Sequence, residues 1–165
     1  TYHIAFYLKN ELSLTPGNVY SLFIPNSIEE IVFLFALNKI GCIANFIHPL
    51  FPSEAVKNSV EYTKSKGILL FDIFLNQHAE MLATIKSLDI VVSAPALYAA
   101  PVDKKFFIRP DEKSLNTATQ NGIEVKFFGD IIKKYNGLFL TTVVFRYKQW
   151  LITIIIVSCF IINYF

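Results

Sequence analysis

The chain of 165 residues has only two cysteines, Cys42 and Cys159. One falls in a predicted strand and the other in an apolar tail, which argues against a disulfide framework and makes a reducing compartment the default. Glycine is also scarce. The six residues at 17, 41, 67, 122, 129 and 137 leave no two close enough to build a glycine-rich phosphate loop. Charge of one sign is missing too: 15 Lys and Arg against 13 Asp and Glu give a net charge of +2. The lysines stand singly or in pairs, so no basic stripe for nucleic acid exists. Thr1 to Leu8 lacks the charged start and long apolar run of a secretory signal. The chain opens without Met, and the expectation is a trimmed N-terminus. His3, His48 and His78 are far apart in sequence and none has a partner at metal-ligand spacing. No nucleophile and base stand at a recognisable spacing.

Apolar mass is present in excess. Hydrophobic residues make up 53% of the chain and 16 residues are Phe, where about half apolar is ordinary. The length suits one domain with a real core. The most informative stretch runs from Val19 to Ala55. Val19 to Ile24 is a β-branched and aromatic run ended by Pro25, as in a buried parallel strand. Asn26 and Ser27 supply an N-cap, Ser27 with Glu30 fits the capping-box spacing, and Glu29 and Glu30 sit where the helix dipole favours acids. The two glutamates are assigned to that dipole rather than to paired-carboxylate chemistry. Ile31, Leu34, Phe35 and Asn38 recur at helical spacing over Ile28 to Ile40, Gly41 stops the helix, and Cys42 to Ile47 is the next strand.

The same grammar continues on both sides. Tyr2 to Leu12 is an amphipathic helix followed by a turn at Thr15-Pro16-Gly17-Asn18. Ser53 is expected to cap a helix to about Ser65, with Val56, Val60 and Thr63 on one face and Gly67 as its stop. Ile68 to Phe71 is a strand, Asp72 to Leu88 a helix with Phe74, Met81, Leu82 and Ile85 toward the core, and Ile90 to Ser93 a strand. The pattern predicts an α/β fold, an incomplete doubly wound parallel sheet with right-handed crossovers. Beyond Ala94 the pattern weakens. Ile123 to Phe128 is read as extended and Gly129 to Tyr135 as a helical turn or two. The expected organisation is a partial α/β subdomain over 1–94, an irregular extension over 95–137 and an apolar tail over 138–165.

The order Pro25-Asn26-Ser27, an apolar helix ending Leu37-Asn38-Lys39-Ile40-Gly41, a strand, then His48-Pro49-Leu50-Phe51-Pro52-Ser53-Glu54 resembles the early N-terminal region of the AMP-forming acyl-adenylating enzymes. These include acyl-CoA synthetases, luciferases and peptide-synthetase adenylation domains. The resemblance covers about Leu12 to Val92. It implies ATP-dependent activation of a carboxylic acid, with Mg²⁺ and coenzyme A, in a full-length enzyme of fatty-acid or other acyl metabolism. Gly17-Asn18 stands where the family usually has Gly-Asp, a mild departure.

The family's phosphate-binding loop, rich in Ser, Thr and Gly and ending in Lys, is missing, as are its aromatic-Gly-x-Thr-Glu motif, its ribose-binding Asp and its C-terminal Lys. These 165 residues are therefore expected not to adenylate alone. No catalytic, cofactor-binding or metal-binding residue is assigned, and His48 is read as a loop residue bonded to nearby backbone. An unrelated flavodoxin-like domain would need a ligand site at the strand ends, and the turns after Ile24, Phe46 and Phe71 show no glycine-rich or acidic cluster for one.

The tail supplies the last expectation. Gln149 to Phe165 has no charged residue, Arg146 and Lys148 flank its start, and Trp150 and Tyr164 suit the membrane interfaces. This predicts a candidate transmembrane helix at 149–165, a membrane-lipid partner and a single-pass anchor with the α/β region in the cytoplasm, a wholly cytoplasmic chain being the alternative. A membrane-anchored, non-enzymatic interaction module is the second functional reading. No nucleic-acid partner is expected, and no protein partner is specified by the sequence.

Overall fold

The computed structural model describes residues 1–93, 116 and 120–135. In chain order the elements are α1 (Tyr2–Asn10), β1 (Val19–Phe23), α2 (Ile28–Ile40), β2 (Ile43–Phe46), α3 (Ser53–Thr63), β3 (Gly67–Phe71), α4 (Asp72–Thr84), β4 (Asp89–Ser93), β5 (Lys126–Phe127) and α5 (Phe128–Lys134). The strands form one sheet in the order β2-β1-β3-β4-β5 with every neighbouring pair parallel. Alternate side chains leave opposite faces of a strand. Tyr20, Leu22, Leu69, Phe71 and Val91 accordingly pack with α1, α2 and α5, while Phe23, Ile68, Leu70 and Val92 pack with α3 and α4. All five residues of β3 are buried, which explains its unbroken apolar run.

Local chemistry sets α2. The Ser27 hydroxyl accepts from the Glu30 N–H at 3.2 Å, and Gly41 ends the helix at φ 78°, a conformation that costs glycine little. The helix occupies the predicted span but turns a different face inward. Glu29, Phe33, Ala36 and Leu37 are its buried residues, whereas Ile31 and Phe35 are 52% and 44% exposed. Apolar residues lie almost all round α2, so spacing alone had no contrast to work with. Helix α1 decides the outcome by placing Ile4, Tyr7 and Leu8 in the same core as Phe33, Ala36 and Leu37.

Two other helix ends depart from expectation. Helix α3 starts after Pro52 with no side-chain cap bond, and Lys64 rather than a glycine takes the left-handed position that ends it. Gly67 instead opens β3, where an added Cβ would lie 2.2 Å from the Tyr20 ring. Helix α4 stops at Thr84, because Ile85 is already extended on the way to β4. Its inward residues include Leu75, His78 and Ala79 beside the expected Leu82. Beneath α3 a polar seam joins the layers: Asn45 donates to Ser21 at 3.0 Å and Ser59 at 3.1 Å, and Ser21 shares a 2.7 Å bond with Ser65.

The membrane expectations require correction. Among the described residues no helix is long and apolar enough to cross a membrane. The longest, α2 and α4, have 13 residues each, about 20 Å at the helical rise, against about 30 Å of hydrocarbon. The transmembrane helix, the lipid partner and the membrane anchor are therefore withdrawn. The segment 149–165 that suggested them lies outside the described residues, as does Cys159.

Candidate functional site at the carboxyl rim of the sheet

In an open parallel sheet, ligands meet the carboxyl ends of the strands where successive crossovers diverge to opposite faces. Here that point lies between β1 and β3. From β1 the chain turns into α2 on one face, and from β3 it turns into α4 on the other. The rim is built by three βα connections from neighbouring strands: Ile24 to Glu30 after β1, Ile47 to Ser53 after β2, and Phe71 to Ile73 after β3.

These connections carry acids and large apolar side chains. Glu29 is buried, with one carboxylate oxygen, Oε2, that has no hydrogen-bond partner among the described residues. Burial pushes the Glu30 carboxyl above its ordinary range, opposed by a hydrogen bond from the Ser27 backbone. Asp72 is buried, and its Oδ1 accepts from the Ile73 N–H at 2.8 Å. Glu54 stands exposed in the first turn of α3. Residues 24–30, 47–56 and 71–80 include no Lys or Arg. Around the acids, Ile28 is 58%, Leu50 84%, Phe51 41% and Ile73 61% exposed.

Behind the rim, Ser53 and His78 meet. The Ser53 Oγ and His78 Nδ1 are 2.8 Å apart, tying the first residue of α3 to α4. The imidazole is buried edge-on against Phe23, with ring centroids 5.0 Å apart, and its Nε2 has no partner among the described residues. Burial pulls its pKa below the usual histidine value. A separation of 25 positions in sequence gave no sign of this pair, because their meeting depends on how α3 and α4 pack. A serine bonded to Nδ1 of a ring whose other nitrogen is enclosed is a structural pair and lacks the open geometry of a nucleophile and its base.

His48, read as a loop residue, does bond to local backbone: its Nδ1 accepts from the Leu50 N–H at 3.2 Å. Cys42 is buried and its thiol is pushed up to about 11 by that burial, leaving it a poor nucleophile. Among the described residues no group of three His, Cys, Asp or Glu could hold a metal ion.

The amino edge of the sheet has the opposite character. Asp89, at the start of β4, accepts from the Tyr7 hydroxyl at 2.7 Å, the Tyr20 hydroxyl at 2.8 Å and the Lys126 ammonium at 2.9 Å. Burial, then the Asp89 charge, raise both tyrosines well above their ordinary pKa. Nearby, Lys134 and Tyr135 both bond to the Glu11 carboxylate, and the Lys134 bond is the largest influence lowering its pKa. These contacts close α1, β1, β4, β5 and α5 upon one another.

The family model of AMP-binding enzymes matches residues 2–125. The chain belongs to that family. The match is wider at both ends than the stretch over which the resemblance is legible. Among solved structures, the fold of this AMP-binding family member is similar to the A domain of a carboxylic acid reductase from Segniliparus rugosus, solved with AMP and a carboxylic acid. That comparison has a TM-score of 0.66 and 15% identity over 87% of this chain and 22% of the other. The A domain of a carboxylate reductase from Mycobacterium chelonae gives 0.63 and 13%, covering 82% and 21%. A benzoate CoA ligase from Burkholderia xenovorans gives 0.51 and 14%, covering 61% and 23%. Identities this low speak for the fold alone. No curated protein matches in sequence. This member of the family spans 20% to 23% of the length of such relatives and resembles a fragment of the adenylation domain of an AMP-dependent acyl-CoA synthetase or ligase.

Proposed function

We propose that these 165 residues form an incomplete doubly wound piece of an adenylate-forming ligase that does not catalyse by itself, and that its working contact is made through the carboxyl rim. The α/β part is 1–94, with 95–137 as an extension and 138–165 as an apolar tail. ATP-dependent activation of a carboxylic acid, followed by transfer to coenzyme A, is assigned to an enzyme that combines this piece with the remainder of such a fold.

The observation that carries this reading is the chemistry of the rim. Among the described residues ATP does not fit it, because triphosphate oxygens placed at the β1/β3 divergence would face Glu29, Glu30 and Asp72 with no Lys or Arg in the connections after β1, β2 and β3. Ser27 already occupies the capping position of α2 by accepting from Glu30. No step of adenylation is derived from these residues. ATP–pyrophosphate exchange with a panel of aliphatic and aromatic acids tests the reading. The expected result is no carboxylate-dependent exchange, and exchange well above a no-acid control would overturn it.

The exposed apolar side chains of the rim favour a second reading, a non-enzymatic protein-contact module without an anchor. The two readings share the contact face and differ in whether the partner completes a catalytic fold.

A further inference from the structure

The side-chain amide of an asparagine can be attacked by the backbone nitrogen of the residue that follows it, and a Cβ on that residue hinders the approach. Among the described residues only Asn121 precedes a glycine. Gly122 lies in a turn at φ +67°, and the space where its Cβ would stand is open for 4 Å. Asn121 is half-buried and Gly122 exposed, so water and hydroxide reach the pair. The chain's second Asn-Gly pair, at 136–137, lies outside the described residues.

The other described asparagines are held away from this reaction. Asn38, Asn58 and Asn76 lie inside α2, α3 and α4, where the N–H that follows belongs to the helical ladder. Asn45 lies in β2 and donates through Nδ2 to the hydroxyls of Ser21 and Ser59 at 3.0 and 3.1 Å. After Asn10 the Glu11 N–H donates to the Tyr7 carbonyl at 2.9 Å, and Asn18 accepts through Oδ1 from the Thr15 N–H at 3.1 Å. Asn26 precedes Ser27 and Asn116 precedes Thr117, so each has a side chain in the path.

We propose that Asn121 is a site of spontaneous deamidation and isomerisation. The Gly122 nitrogen gives its proton to hydroxide and bonds to Cγ of Asn121. The Cγ–Nδ2 bond breaks, and Nδ2 takes a proton from solvent and leaves as ammonia. Water then opens the five-membered imide at either carbonyl, giving aspartate at one and isoaspartate at the other. The new carboxylate takes the net charge of +2 down by one. Isoaspartate also adds a carbon to the main chain, at the head of the segment that carries Ile123 and Val125 onto the α3 and α4 core and Lys126 to Asp89 at 2.9 Å.

The test holds the full 165-residue chain at body temperature and mildly alkaline pH, then follows its tryptic peptide 114–126 by mass spectrometry beside a synthetic peptide of the same sequence. The expected result is a gain of about 1 Da at Asn121, at a rate within about tenfold of that in the synthetic peptide. Isoaspartate in the product is read by enzymatic methyl esterification. Asn121→Gln should remove both signals from this peptide, because the larger ring closes far more slowly, and circular dichroism confirms that this variant keeps the fold. A peptide 114–126 that stays unconverted while the synthetic one converts would overturn the proposal. So would faster conversion at any other described asparagine, or a signal that survives Asn121→Gln.

Discussion

The two ends of the sheet are finished to different degrees. At the amino edge Asp89 takes three donors from three separate elements, and Glu11 takes two more from the end of α5. At the carboxyl rim a buried glutamate oxygen has no donor among the described residues, and Ile28, Leu50 and Ile73 face solvent. Both ends belong to the same strands, so the contrast is not one of a well-formed and a poorly formed region. Among the described residues the long-range polar contacts of Asp89 and Glu11 tie the amino edge together, whereas the rim presents large apolar side chains to solvent. A surface left in that condition is suited to contact with something outside these residues.

The sharpest way to break the contrast is to empty the amino edge. Asp89→Ala removes the acceptor of two tyrosine hydroxyls and one ammonium, and Tyr20 has no exposure through which water could replace it. Loss of one partner in a buried charged group costs about 3 to 5 kcal/mol. Against a typical total of about 5 to 15 kcal/mol, the urea midpoint should fall by a large fraction. A midpoint shift worth less than about 1 kcal/mol would mean that the edge is not what closes the fold.

The second test concerns which side of α2 is committed. Phe33 is fully buried and stacks obliquely on Tyr20, with centroids 5.4 Å apart, whereas Phe35 is 44% exposed. Phe33→Ala should cost about 3 to 5 kcal/mol, and Phe35→Ala well under half of that. Equal losses in thermal unfolding would contradict the observed face.

Much of the fold was legible because its signals are local. The span of α2 follows from Ser27, Glu30 and Gly41, all within one turn of its ends, and the strand and helix sequence up to Ser93 follows from punctuation of the same kind. The inward face of α2 was not legible, since nearly every position is apolar and the choice was made by α1. The role of Gly67 was read as a helix stop, while its real constraint is the Tyr20 ring, 47 residues away. For the candidate site, Glu29 and Glu30 were legible as first-turn acids of α2 and His48 as a loop residue. Their convergence with Asp72, Leu50 and Ile73 depends on β1 lying between β2 and β3, and no local pattern encodes strand order. Asp89 escaped notice for the same reason: its hydroxyl donors lie 69 and 82 residues upstream.

Acidification probes the region between core and rim. The folded pKa of His78 lies below the free value of 6.5 because burial disfavours the charged ring. The unfolded chain therefore takes up a proton that the native state refuses. Stability contributed by the neutral ring is complete above about pH 6.5 and is lost as the pH falls from there toward the folded pKa. His78→Asn keeps a polar group near the Nδ1 position facing Ser53 but cannot titrate, so the decline in unfolding free energy just below pH 6.5 should flatten in that variant. An unchanged slope would assign the titration to another group.

The smallest expected effect is on the rim itself. Leu50 is 84% exposed and Ile73 61%, so replacing either by Ser removes little packing that the folded chain possesses. Surface changes of this kind stay within about 0.5 kcal/mol, in contrast to the several kcal/mol at Asp89 and Phe33. Urea unfolding of Leu50→Ser and Ile73→Ser should match the parent chain within that margin. A loss of about 2 kcal/mol would place these side chains within the chain's own core and remove them as contact residues. Stability that is indifferent to the rim, beside stability that depends on Asp89, is the energetic form of the contrast between the two ends of the sheet.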